Sequence, residues 1–225
     1  MKKLSLFILF LALGQFTKAA TTYLNLTCII EGYHLGSGQM TAAAFNEGCA
    51  WAVPNLTDRV QIQLRKKTPP YAIVAQAIGN LYSTGLTNTI PLSHANLVSD
   101  SYYLVVKNTR NAVEVWSAQP VQFTISSTTT YDFSKDPASA YGNNMKKVGG
   151  VATGYPLGVW AFYSGDVNSD GNIDLLDAAK MEYDVLHFAY GCVKTDLNGD
   201  GNVDLLDMAI FESNPLGAFI GVIHP

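Results

Sequence analysis

A twelve-residue acidic segment that occurs twice constrains this chain more than any other feature. Residues 166–177 read DVNSDGNIDLLD and residues 196–207 read DLNGDGNVDLLD, so the second copy starts 30 residues after the first. Side-chain oxygens stand at positions 1, 3, 5, 9 and 12 of both: Asp166, Asn168, Asp170, Asp174 and Asp177, then Asp196, Asn198, Asp200, Asp204 and Asp207. Position 6 is glycine each time, Gly171 and Gly201. Together the copies hold eight of the chain's 18 acidic residues. Carboxylates at that density repel one another, so each turn is either solvated or holds a cation. Repetition in one register argues for a repeated structural unit.

The spacing is that of an EF-hand-type calcium loop. Calcium is a hard cation that takes six to eight oxygens on a flexible sphere. Alternate side chains at positions 1, 3 and 5 aim three oxygens at one point, and the glycine permits the sharp turn. Position 7 needs only its carbonyl, from Asn172 and Asn202. Position 9, Asp174 and Asp204, acts directly or through water, and position 12, Asp177 and Asp207, closes the sphere. Two loops predict two Ca2+ ions. An EF-hand has a helix before its loop. Here residues 154–165 are rich in Gly, Pro and aromatic side chains and read as extended chain. After each loop the pattern turns helical. Leu175, Leu176, Ala178, Ala179, Leu186 and Phe188 can share one apolar face, as can Leu205, Leu206, Ala209 and Ile210.

Gly165-Asp166-Val167-Asn168 and Asp196-Leu197-Asn198-Gly199-Asp200-Gly201, with Asp177 and Asp207 closing, resemble the two repeats of the dockerin family over residues 163–214. The resemblance implies that two calcium ions order the fold and that one helix face binds a cohesin on a scaffold or cell-surface protein. It also implies secretion and service in polysaccharide breakdown. Recognition in well-known dockerins uses positions 10 and 11, often Ser-Thr, plus basic residues along the helix. Here those positions are Leu175, Leu176, Leu205 and Leu206, and the basic complement is Lys180. That face either meets an apolar partner, a cohesin-like or other surface protein, or is buried on the rest of this protein.

The N-terminus reads as a secretory signal ending near Ala19 or Ala20. Lys2 and Lys3 precede an apolar run from Leu4 to Leu13, too short to span a bilayer. Removing Lys2, Lys3 and Lys18 takes the formal charge from −4 to −7, which excludes nucleic acid as a partner. Three cysteines remain. In an oxidising compartment sequence proximity pairs Cys28 with Cys49 and leaves Cys192 unpaired; the alternative is three buried thiols.

Residues 21–133 read as all-β. Strand candidates are Tyr23–Ile30, Val60–Arg65 with its apolar–polar alternation, Ala72–Ile78, a hairpin of Tyr102–Lys107 with Ala112–Ser117, and Val121–Ile125. The expected fold is mainly β with a small α portion: an immunoglobulin-like β-sandwich, then the dockerin-like pair of calcium loop–helix motifs. A Gly-, Ser- and Asn-rich linker over 134–162 joins them, and residues 215–225 form a last strand, docked on the sandwich or donated to a neighbouring molecule. This layout also resembles the C-terminal region of large secreted proteins from Bacteroidetes-type bacteria.

No catalytic constellation stands out. The four histidines are scattered, no Gly-x-Ser-x-Gly elbow occurs, and the dense carboxylates belong to the loops. The expected function is calcium-dependent extracellular attachment without catalysis. Two other readings stay open: a self-assembling surface protein braced by calcium, and a carbohydrate-binding module with Trp51 as its stacking residue.

Overall fold

Alternating side chains build the sheets. The computed structural model describes residues 19–36, 38–149, 158–214 and 220–225, so the signal segment to residue 18 lies outside the described residues, as do 215–219. In chain order the elements are β1 (Ala20–Thr27), α1 (Ala43–Asn46), β2 (Leu56–Arg65), β3 (Ile73–Tyr82), β4 (Ile90–His94), β5 (Asp100–Asn108), β6 (Val115–Trp116), β7 (Val121–Phe123), β8 (Thr128–Asp132), β9 (Lys146–Val148), β10 (Val159–Ala161), β11 (Asn172–Ile173), α2 (Leu175–Leu186), α3 (Leu205–Glu212) and β12 (Ile220–Gly221).

The central strand β2 pairs antiparallel with β3 and β5, and β5 also carries β6 and β7. A second sheet has the order β4-β1-β8, with β1 antiparallel to β4 and parallel to β8. Val60, Ile62 and Leu64 of β2, Leu104 and Val106 of β5, Leu24 and Leu26 of β1, and Ile90 and Leu92 of β4 share one buried cluster. The chain is mainly β with few helices, an arrangement consistent with a β-sandwich. Strands β4 and β8 were not among the sequence expectations.

The stretch read as a linker is packed where it is described. Two 3-10 turns at Pro137–Ser139 and Tyr141–Asn143 lead into β9, which pairs with β10. Ala140, Met145, Ala161 and Phe162 are buried in the main core. Its small residues serve tight turns, as at Gly142, whose φ is 64°.

Two expectations are corrected. The disulfide joins Cys49 to Cys192, 143 residues apart, with Cα atoms at 5.1 Å. Cys28 is a buried thiol in the main core, while Cys49 belongs to a separate buried cluster. The last strand does not pair with the sandwich: β12 pairs with β11 of the first acidic loop, and the Val222 N–H donates to the Gly171 carbonyl at 2.8 Å. Ile220 covers Ile173, and both are buried. Beyond β12 the chain does touch the sandwich: Val222 packs on Tyr103, Val105 and Trp116, and the His224 ring lies 5.4 Å from that of Trp116.

Candidate metal centre

Both acidic loops fold alike because their side chains satisfy their own backbone. Gly171 and Gly201 have φ of 95° and 98°, where a Cβ would be strained. Their N–H groups donate to Oδ2 of Asp166 (3.1 Å) and of Asp196 (2.7 Å). The N–H of Asn168 donates to Asp177 Oδ1 and that of Asn198 to Asp207 Oδ1, both at 3.0 Å. Each loop ends in a reciprocal helix cap. Asp174 Oδ1 accepts from the Leu176 N–H, and Asp177 Oδ2 accepts from the Asp174 N–H. Asp204 and Asp207 repeat this at α3. Such boxes fix where a helix starts. They place the position-12 carboxylates, both fully buried, beneath their loops.

The donor set suits calcium. Asp166 is buried, yet its Oδ1 has no hydrogen-bond partner. Burial, with Asp177 and Asp170 adding like charge, pushes the Asp166 carboxyl up to about 6. Burial likewise raises Asp196 to about 6, against the N–H groups of Gly201 and Gly199 and with the charges of Asp207 and Asp200. Asp177 and Asp207 are also raised, burial first. Uncompensated buried carboxylates are what a hard cation relieves. Asp166, Asn168, Asp170, Asn172, Asp174 and Asp177 would hold one ion, and Asp196, Asn198, Asp200, Asn202, Asp204 and Asp207 the other. The carboxylates themselves stand apart. Among the described residues, the one group of three acidic, Cys or His side chains with ligand atoms within 4.8 Å is Glu47, Cys49 and Cys192. That group is not a metal site, since its sulfurs are bonded to each other and Glu47 is paired with Arg110.

The loop–helix units rest on the sandwich. Val167, Ile173, Met181, Leu197, Phe211 and Ile220 form a second buried cluster, and Val113 from the β5–β6 connection completes it. A Cβ on Gly32 would lie 2.2 Å from the Leu197 carbonyl oxygen, so only glycine lets the second loop come this close. Arg110 donates to Glu47 Oε1 at 2.8 Å and to the Val193 carbonyl. Asn111 lies between the loops. Its carbonyl accepts from the Gly165 N–H at 2.7 Å, and its Nδ2 donates to the carbonyls of Lys194 (3.1 Å) and Asp196 (3.4 Å). None of these anchors is legible in sequence, because each acts across a tertiary seam.

The buried side of α2 is Asp177 and Met181; its leucines face out. Leu175, Leu176, Leu205 and Leu206 are 73, 66, 74 and 62% exposed. Tyr183, Leu186, Phe188 and Tyr190 are exposed as well. At 100° per residue, Leu175, Leu176, Tyr183 and Leu186 fall on one face of α2. The tyrosines extend the face beyond the residues that the sequence singled out. Trp51, the carbohydrate candidate, is half-buried and carries the Arg59 guanidinium 4.4 Å over its ring. Among the described residues, no helix is long and apolar enough to cross a membrane.

No protein-family model matches the chain, and no curated protein matches it. Among solved structures it is similar to a chain of a type II cohesin–X-dockerin complex from Acetivibrio cellulolyticus, a C-terminal interface mutant. Identity is 14% over 85% of this chain and 94% of that one, with a TM-score of 0.44. An N-terminal interface mutant of the same kind of complex gives 13% identity over 87% and 93%, with a TM-score of 0.41.

Proposed function

We propose that this chain is a secreted, non-catalytic attachment protein of dockerin type. Each acidic loop takes one Ca2+, and the helices that the loops start present an apolar face to a protein partner on a scaffold or cell surface. Service in a polysaccharide-degrading assembly is part of the same reading. The exposure of all four leucines at loop positions 10 and 11 carries it. A brace that packed on its own sandwich would bury them, and a soluble chain rarely leaves so many large apolar groups together in water without a partner. Because ions would bind the folded loops and not the unfolded chain, calcium affinity is folding free energy, and the partner face exists only where the loops are closed.

The test is binding of the mature protein to a panel of purified cohesins, in calcium and in chelator. Calcium-dependent binding, lost in Leu175→Asp/Leu205→Asp with the melting temperature unmoved, is the expected result. Equal binding in chelator, or none to any cohesin, overturns the dockerin reading. Calcium-dependent dimerisation that the same substitutions abolish would assign the face to a second copy instead.

A further inference from the structure

We propose that Asn111 couples the two metal sites, so that calcium binds them cooperatively. This inference rests on the reading of both loops as calcium sites. Asn111 belongs to neither loop. It sits in the short connection between β5 and β6, 1% exposed, and its own N–H is held by Asn108 Oδ1 at 2.8 Å. From there it touches the start of each loop by a different group. Its main-chain carbonyl accepts from Gly165, the residue before the first ligand position of loop one, at 2.7 Å. Its side-chain amide donates to the carbonyl of Lys194 at 3.1 Å and shares that N–H, in a longer contact of 3.4 Å, with the carbonyl of Asp196, the first ligand position of loop two. The same amide donates to the Tyr33 hydroxyl at 3.1 Å, while its Oδ1 is buried without a partner. The side chain is therefore oriented by what its nitrogen reaches and not by its oxygen.

Coupling follows from that geometry. The first ligand of each loop can only be where the backbone beside it is, and one residue fixes both backbones. An ion that closes loop one immobilises Gly165 and with it Asn111. The amide is then already placed when loop two has to order Asp196, and the ordering cost of the second event falls. Linkage makes the effect reciprocal. A second path runs in parallel: the Thr195 hydroxyl, one residue before Asp196, donates to Asp184 Oδ2 of α2 at 2.6 Å. Asn111 differs from it in reaching the loop starts themselves.

The experiment is calcium titration of the full mature chain by calorimetry, in a set that isolates each site. Asp170→Ala disables loop one and Asp200→Ala disables loop two. The expected result is that filling one site raises affinity at the other about tenfold. In Asn111→Ala that factor falls several-fold, to what the Thr195–Asp184 contact carries. Val113→Ala, two residues on, thins the packing of the second cluster and leaves both loop starts bonded, so its factor stays at the wild-type value even though the protein melts earlier. A second measurement keeps Asn111 intact: in Asp200→Ala, calcium added to loop one should slow amide hydrogen exchange at Gly199 and Gly201 in loop two. Two calcium ions that bind independently in the wild type, or a coupling factor unchanged in Asn111→Ala, overturn the inference and leave the metal reading standing. No calcium binding at all overturns both. Unchanged exchange in loop two while loop one fills also overturns the inference.

Discussion

Replacing Asp166 by Asn should raise stability without calcium and lower the gain that calcium gives. The carboxyl is pushed from its ordinary 3.8 to about 6 by burial and by the neighbouring carboxylates. A raised folded-state value means that this group's stabilising contribution is fully present below about pH 3.8 and is lost as pH rises through about 6. At pH 7 the ionised group therefore costs up to about 3 kcal/mol, from about two pH units at about 1.4 kcal/mol each. Asn keeps the shape and removes the charge. Its carbonyl can take the Gly171 N–H that Oδ2 now holds, and the like-charge repulsion from Asp177 and Asp170 is gone. For a chain of this size, 1 kcal/mol moves the melting temperature by about 2–4 °C. Melting in chelator at pH 7 should thus rise by about 6–12 °C at most. Between pH 4 and 7 the chelated variant should also lose less stability than the wild type. In calcium at a hundredfold excess over Kd, each intact site adds about 2.7 kcal/mol, and the variant forfeits one such increment. An Asp166→Asn protein that melts below the wild type in chelator at pH 7 would refute the argument. Asp196 gives the contrast. Both of its oxygens already accept, from Gly199 and Gly201 at 2.7 Å, so Asp196→Asn sets an amide donor against a donor, and the resulting cost of about 1–3 kcal/mol should offset most of the gain from removing its charge.

Cys192→Ser, or reductant on the wild type, should lower stability by about 2–5 kcal/mol, read as a fall in melting temperature. Gly32→Ala forces a methyl to within 2.2 Å of the Leu197 carbonyl oxygen, and should cost about 1–3 kcal/mol and weaken calcium binding at the second loop more than at the first, by calorimetry.

What the sequence made legible was local. The glycine turns and the start of both helices are encoded within twelve residues in one register, and the structure has them, adding a capping box at each helix that was not foreseen. Val60, Ile62 and Leu64 alternate and are buried as the pattern requires. The other unforeseen features depend on distant partners. Thr128–Asp132 lacks an apolar alternation of its own, and it pairs as β8 along the parallel edge that β1 offers. Cys49 meets Cys192 across 143 residues, so nearness in sequence pointed to the wrong pair. The direction of the leucines was open in the sequence as well, since an apolar face does not say whether core or water lies beside it.

The two loops, identical in register, are supported differently, and that sets which should fill first. Loop two is held from several sides by the sandwich. The disulfide pins the chain before it, Arg110 and Asn111 take its flanking carbonyls, and Gly32 lies against Leu197. Loop one shares the Asn111 anchor through Gly165, but its outer side is held by β12, a strand of two residues. A ladder of two residues opens more readily than a sheet interior. A site whose backbone is already fixed loses less entropy when the ion arrives, so loop two should bind more tightly. Ile220→Pro tests this. Proline cannot donate to the β11 ladder and strips the cover from Ile173, so it should weaken the looser site and spare the tighter one. Calorimetry that found the tighter site weakened, or both weakened equally, would show that the sandwich does not preorganise loop two.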